Sequence, residues 1–217
     1  MPFTPPEIQS LPSVLSAPRF ATYLAAKGGD KRHALELYQW NLELSAAFFV
    51  PLQICEVSVR NAILKAIETV YGANWPWERG FEITLRDPKK AYSPRRDLQN
   101  LRHLPTSGKI VAELKFAFWE KMLTNGHDAD LWNLYLFASF PHADQTKTVQ
   151  SIRAQGHNSL FKIRELRNRI AHHEPIFSRN IQQEYDRIRE IIAWTDPVAA
   201  GWVDKIQRVT GMIPTKP

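Results

Sequence analysis

Cysteine is nearly absent from this chain of 217 residues, since Cys55 is the only one. A single thiol excludes an internal disulfide and a zinc site built from several cysteines. It fits a reducing compartment, where disulfides are rare. The nine glycines form neither a Gly-rich phosphate loop nor a nucleophile elbow. The lack of these two motifs argues against a P-loop NTPase and against an α/β-hydrolase.

The chain also lacks an uninterrupted apolar run long enough to cross a bilayer. Its longest strongly apolar stretch, about 45–55, contains Pro51 and is shorter than the roughly 20 residues that a membrane helix needs. Residues 1–6 have neither the basic start nor the apolar core of a signal peptide. We therefore expect a soluble, cytoplasmic protein without a membrane partner.

Positive charge is in excess, because 28 lysines and arginines accompany 22 acids and give a formal net charge of +6. Most of this excess falls between residues 147 and 169, where the single acid is Glu165. A patch of this kind is the electrostatic signature of binding to phosphate backbones. The cations of the segment are Lys147, Arg153, Lys162, Arg164, Arg167 and Arg169.

Apolar residues recur at helical spacing along most of the chain, without βαβ alternation or internal repeats. This pattern predicts an all-α bundle in one domain over residues 17–210. Residues 1–16 contain four prolines and are predicted to be an extended arm, and residues 211–217 a tail. Residues 72–95 are predicted to be an irregular insertion with a short strand at 81–85. Its aromatic and basic side chains either bind nucleic acid or, the preferred interpretation, pack back on the core.

Caps and breakers delimit the predicted helices. Ser16 begins a short helix that stops at Gly28, and Asp30 begins a long one that Pro51 kinks or splits. Thr146 begins the helix that carries the charged segment. The inner face of the long helix is predicted to carry Ile54, Val57, Asn61, Leu64 and Ile67. Further helices are predicted over 109–123 and 181–194.

The strongest candidate for a catalytic motif is formed by Arg167, Asn168 and His172, at the end of the helix that Pro175 terminates. Arginine offers a planar fork of donors for phosphate, and histidine exchanges protons near neutral pH. Cleaving an RNA phosphodiester through its 2′-hydroxyl needs a base, an acid and a cation that stabilises the phosphorane. The structural alternative is a salt bridge for Arg167 and a helix-capping His172. On residue chemistry alone, that alternative is preferred.

Three blocks of sequence resemble one family. The string Leu166-Arg167-Asn168-Arg169-Ile170-Ala171-His172-His173 is similar to the Arg-(x4–6)-His motif of HEPN domains, in the version found in Abi-like (abortive-infection) proteins. Residues 38–45 leading to 56–62, and residues 108–119, resemble that family in the same order. The resemblance spans roughly residues 19–195.

The resemblance implies an HEPN-type helical bundle that dimerises with its motif helices facing each other. Two Arg-His pairs would then form one metal-independent endoribonuclease site that acts on RNA. Such proteins commonly serve phage defence or toxin–antitoxin systems, which adds a cognate antitoxin or a guide or non-coding RNA as candidate partners. Some HEPN domains are not nucleases, so a non-catalytic module that binds RNA or a protein remains the alternative.

Within this interpretation, Arg167 stabilises the phosphorane and His172 is the general acid and base. On an ideal helix His172 lies almost opposite the apolar stripe of the motif helix, whereas His173 lies at its margin. We therefore predict that His172 is catalytic and that His173 supports it. Asn168, one turn before His172, is predicted to orient the imidazole or the phosphate.

Four further residues are predicted to support the site. Glu56 either fixes Arg167 through a bidentate bond or pairs with Arg60 on its own helix, and the two alternatives are equal. Phosphate contacts are assigned to Lys162, Arg164 and Arg169.

A metal site built from His172, His173 and Glu174 is the remaining chemical option. Adjacent helical residues point in different directions, and protein metal sites normally need three or four convergent ligands. We therefore expect neither a metal nor a cofactor.

Overall fold

The structure is a computed structural model that describes residues 3–217. Within those residues the fold is helical without a strand, which confirms the predicted all-α class. The helices are α1 Pro5–Val14, α2 Ala17–Ala26, α3 Lys31–Tyr71, α4 Arg79–Thr84, α5 Pro94–Leu101, α6 Ser107–Glu113, α7 Phe116–Met122, α8 Asn133–Ser139, α9 Val149–Ala171, α10 Ile181–Thr195, α11 Pro197–Ile206 and α12 Val209–Met212.

The 41-residue helix α3 is the centre of the fold. Asp30 begins it as predicted, because its carboxylate accepts a hydrogen bond from the backbone N–H of His33 at 3.0 Å. Gly72 ends it with a left-handed φ of 77°. Fifteen residues of α3 are buried, and helices α2, α7, α8, α9 and α10 pack against it.

Pro51 lies inside α3 without splitting it. The predicted inner face of the helix is wrong at Val57 and Asn61, which are exposed, whereas its Ile67 is buried as predicted. Cys55 and Val59 face the core instead. Apolar residues occur on more than one side of α3, and periodicity alone does not tell which side the other helices cover. Val57 instead belongs to an outer surface that becomes part of the site.

Residues 5–14 are a helix and not the extended arm that their prolines predict; Met1 and Pro2 lie outside the described residues. Pro5 and Pro6 occupy the first turn of α1, where a missing N–H costs no helical hydrogen bond. The Glu7 carboxylate accepts hydrogen bonds from the backbone N–H and the hydroxyl of Thr4, both at 2.7 Å. Proline therefore starts a helix here instead of preventing one.

Residues 72–95 are less irregular than predicted. Trp75–Trp77 is a 3₁₀ turn, and α4 covers most of the residues predicted to be a strand. Trp75 is fully buried, and the indole N–H of Trp77 donates to the carbonyl of Arg102 at 3.1 Å. The prediction that the tryptophans of the segment pack back on the core is therefore confirmed for Trp75, whereas Trp77 stays 38% exposed.

The C-terminal residues belong to the bundle. Helix α12 crosses the predicted boundary at residue 210, and its Val209 is fully buried. The indole N–H of Trp40 donates to the carbonyl of Met212 at 3.0 Å. Lys216 Nζ donates to the carbonyl of Phe177 at 2.8 Å. The predicted separate tail over 211–217 is therefore wrong.

By length and composition, α3 is also long and apolar enough to cross a membrane, and it is the one such helix among residues 3–217. The expectation that no apolar stretch is long enough fails because the helix continues through Pro51. The core helix of a soluble protein passes the same test, and 33% of the apolar window is buried. This feature is therefore weak evidence for a membrane location.

Candidate functional site

The predicted motif lies at the C-terminal end of α9. His172 is the capping residue, and His173 adopts a left-handed φ of 56°. The backbone N–H of His173 donates to the carbonyl of Ile170 at 3.0 Å, and that of Glu174 donates to the carbonyl of Arg169 at 2.7 Å. The two bonds form a Schellman motif, in which the left-handed residue is usually glycine. The helix thus ends near the histidines, as the sequence predicts.

Side chains hold the turn after α9 from two sides. Asn41 is buried, and its Oδ1 accepts hydrogen bonds from the backbone N–H groups of Ile176 at 2.8 Å and Phe177 at 3.1 Å. The Arg169 guanidinium donates to the carbonyl of Pro175 through Nη2 at 2.9 Å and Nε at 3.2 Å. The histidines therefore stand on an anchored turn and not on a free loop.

Both histidine side chains are exposed, and within residues 3–217 neither ring makes a hydrogen bond. His172 occupies the C-cap, as the structural alternative predicts, but its ring remains free to meet a ligand. The carbonyl of His172 accepts a hydrogen bond from Arg19 Nη2 at 3.4 Å. Arg19 lies on α2, far away in sequence, so sequence analysis missed this second cation beside the motif.

Arg167 lies in a groove between α3, α9 and the junction of α6 with α7, here called the motif groove. Two adjoining cavities of about 390 and 360 Å³ form it, and Glu56 and Arg167 line both. Its apolar end contains Phe49, Leu52, Val57, Ile170 and Ala171, and its polar end contains Lys115, Arg164 and Asn168. The structure thus brings together Glu56, Arg167 and Asn168 but places His172 outside this lining.

The polar end exists because the helix predicted over 109–123 is broken. Leu114 and Lys115 are extended, with ψ of 130° and 150°, so α6 and α7 are separate helices. Leu114 and Phe116 are buried, and Lys115 between them is exposed. This alternation is typical of extended chain, which turns every second side chain inward.

Neither ion pair predicted for Glu56 forms among the described residues. Arg60 Nη1 instead donates to the carbonyl of Val111 at 3.3 Å. Arg167 is exposed and, within residues 3–217, has no carboxylate within 4 Å. Glu56 and Arg167 therefore face the same groove without neutralising each other directly.

Arg167 differs in this respect from the other cations of residues 147–169. Five of the six pair with carboxylates, as Lys147–Asp144, Arg153–Asp128, Lys162–Glu165, Arg164–Glu120 and Arg169–Glu174. In the described part of the chain, Arg167 is the one member of the segment without such a partner. Its guanidinium keeps its N–H donors available for a ligand.

The three cations predicted to bind RNA are therefore already engaged in contacts within the protein. Lys162 pairs with Glu165 at 2.9 Å, and both are partly exposed, so phosphate can replace the acid at little cost. Arg169 serves the turn after α9. Arg164 bonds through its Nε to Glu120, which is 0% exposed. We therefore assign Arg164 mainly to the stability of the fold.

Glu120 is the centre of a charge cluster that sequence analysis missed. Besides Arg164, Lys121 Nζ lies 2.8 Å from Glu120 Oε1, and His157 Nε2 lies 3.6 Å from the same oxygen. Burial lowers the pKa of His157 below its ordinary value, and the attraction of Glu120 opposes this shift. Glu120 follows Trp119 in an apolar helix, so no periodic signal distinguishes it from a surface acid.

Among residues 3–217, no three His, Cys, Asp or Glu side chains are grouped so that they could hold a metal ion. His172 and His173 differ in backbone conformation, with φ of −91° and 56°, and so direct their side chains differently. The arrangement offers proton transfer and phosphate binding by side chains.

Comparison with known proteins identifies no family for this chain. No protein-family model, curated protein or solved structure matches this chain. The resemblance to HEPN and Abi-like proteins therefore rests on the residues quoted above, and the function has to be argued from the site.

Proposed function

We propose that this chain is a metal-independent endoribonuclease of the HEPN type, similar to Abi-like proteins, that cleaves RNA at a site shared by two protomers. The observation that carries the proposal is the exposure of Arg167, whose guanidinium lies in the motif groove and has no carboxylate partner within residues 3–217. Five residues after Arg167, the exposed His172 lies on the anchored turn. Phage defence or a toxin–antitoxin system in the cytoplasm is the setting that the resemblance suggests.

The chemistry assigns one task to each side chain. His172 takes the proton of the RNA 2′-hydroxyl, whose oxygen attacks the neighbouring phosphorus. The 5′-oxygen leaves and takes a proton from an acid. Arg167 binds the phosphorane oxygens with its planar fork and stabilises the charge that develops there. Asn168, one turn before His172, orients the imidazole or the phosphate.

A second protomer supplies what one chain lacks. The reaction uses a base and an acid, whereas one chain contributes a single His172. Beside Arg167, the outer face of α3 exposes 66% of Phe49 and 40% of Val57, which favours burial against a partner. Two-fold packing over this face would place two copies of α9 and their motifs together.

The assembly can be tested by placing a charge on that face. We expect light scattering to give twice the mass of one chain for the natural protein and the mass of a monomer for Phe49→Asp. The physical reason is that a carboxylate would have to be buried in the interface. Leu134→Asp is the matched control, because Leu134 is 74% exposed on α8, away from the motif groove. A natural protein that is monomeric at micromolar concentration would contradict the dimer.

The reaction itself is tested by its products. We expect an RNA oligonucleotide to be cut in the presence of EDTA, with a 2′,3′-cyclic phosphate on one fragment and a 5′-hydroxyl on the other. An oligonucleotide of the same sequence with 2′-deoxyribose throughout should stay intact, because it lacks the nucleophile. Mass spectrometry of the fragments distinguishes these ends. Cleavage that requires a metal and leaves 5′-phosphates would reject the mechanism.

One observation favours the second candidate, a module that binds RNA without cutting it. His172 lies outside the residues that line the motif groove, whereas Arg167 and Glu56 line both of its cavities. A binding module needs the groove but not the imidazole. Tight RNA binding without any cleavage product would support this candidate against the nuclease.

A further inference from the structure

A second cleft, of about 610 Å³, opens beside the charge cluster of Glu120. Its chemical groups come from four parts of the chain: the loop after α4, the C-terminal end of α7, the turn at residue 127 and helix α9. They are Arg86, Tyr92, Lys121, His127 and His157, and the rest of the lining is Asp87, Pro88, Ala91, Pro94 and Thr124. None of the predicted site residues lines this second cleft.

The second cleft and the motif groove lie along one face of α9. His157, Arg164 and Arg167 follow each other at intervals of seven and three residues, which places them on the same side of a helix. The ten residues from His157 to Arg167 rise about 15 Å along the helix axis. One extended strand of a few nucleotides can therefore contact both sites.

The walls of the second cleft present N–H groups that internal hydrogen bonds leave unused. Arg86 is exposed, and within residues 3–217 its guanidinium donates one hydrogen bond to a side chain, Asn125 Oδ1 at 3.5 Å. Lys121 points one of its three N–H groups at Glu120. His157 Nε2 is shielded from solvent and lies 3.6 Å from Glu120 Oε1, so His157 contributes to the wall of the cleft and is not counted among its donors. Such donors suit the oxygens of a phosphate.

The acid in the lining is already neutralised. Asp87 accepts hydrogen bonds from Arg96 at 2.8 Å and from the Ser93 hydroxyl at 2.7 Å. Tyr92 donates its hydroxyl to Asp97 at 2.6 Å, so its ring is left as a flat wall. Nucleobases stack on aromatic rings of this kind next to cations that bind the backbone.

We propose that the second cleft binds the RNA strand beside the phosphate that is cut, with Arg86 and Lys121 on its phosphates and Tyr92 against a base. The inference rests on the proposed function, because it extends the same strand from the motif groove. Exposed Lys89 and Lys90 next to Arg86 continue the positive surface at the rim of the second cleft.

The test measures binding without cleavage. The probe is a fluorescent single strand of about twelve 2′-O-methyl nucleotides, which cannot be cut through its blocked 2′-oxygen. We expect Arg86→Glu to weaken binding about fivefold to tenfold at 0.1 M salt and to reduce the salt slope by about one, which is the effect of losing one phosphate contact. Arg79→Glu makes the same charge change at an exposed arginine outside the cleft and should bind normally.

The outcomes separate the two proposals. Binding that is equal in Arg86→Glu and the natural protein, or equally weakened in Arg79→Glu, would overturn the second cleft even if RNA is cut. Dependence on Arg86 in a protein that never cuts RNA would support the cleft and reject the nuclease. Circular dichroism on both variants shows that they remain folded.

Discussion

Arg164→Met should lower the free energy of unfolding by about 3 kcal/mol, whereas Arg167→Met should change it by less than about 0.5 kcal/mol. The two arginines are less than one turn apart on α9. Arg164 neutralises Glu120, which is 0% exposed, and removing one partner of a buried pair leaves an uncompensated charge. Lys121 still faces Glu120 in the variant, so we expect the lower end of the usual range. Urea unfolding followed by circular dichroism measures both values.

Glu120 supplies the reciprocal experiment. In Glu120→Gln together with Arg164→Met, no buried charge is left, and we expect much of the stability to return. Recovery in the double variant distinguishes a charge effect from lost packing of the arginine stem. Equal stability of Arg164→Met and Arg167→Met would mean that Glu120 does not depend on Arg164.

Local rules predict the elements that local chemistry decides. Asp30 caps α3, so the start of that helix was predictable. Pro175 disfavours helical geometry at Glu174, so the end of α9 was predictable as well. The start of α9 was not: Thr146 bonds the Asp144 carboxylate, and Thr148 caps the helix instead. Two threonines stand close together, and the local turn in which Asp144 accepts hydrogen bonds from Thr146 leaves Thr148 to cap the helix.

The candidate site was predictable only in part of its residues, because His172 lies outside the groove and Arg164 is paired with Glu120, and its shape was not predictable. Arg167 and Glu56 follow from the motif and the resemblance, and the structure places both in one groove. The groove itself depends on the break between α6 and α7 at Leu114 and Lys115. The residues around this break are good helix formers, but the chain is extended there because Leu114 and Phe116 are both buried. The roles of Arg164 and Glu120 likewise needed the packing of α7 on α9.

His172→Ala should lower the rate of RNA cleavage roughly a hundredfold to ten-thousandfold, because the proton transfers then fall to water. Arg167→Lys should also be damaging, since an ammonium cannot reproduce the planar fork on the phosphorane oxygens. Both side chains are exposed and make no internal ion pair in the described residues, so the variants should remain folded. The rate is measured as single-turnover cleavage of a labelled RNA, with urea unfolding on the same preparations.

His173→Gly is the matched control for the histidine. Glycine accepts the left-handed φ of 56° without strain, so this variant removes an imidazole while keeping the Schellman turn. We expect it to retain most of the cleavage rate and to be slightly more stable. Full activity in His172→Ala with a large loss in His173→Gly would move the catalytic role to His173. A small loss of cleavage rate in both variants would mean that neither imidazole transfers the proton. The role of Arg167 would then be limited to binding the RNA phosphate.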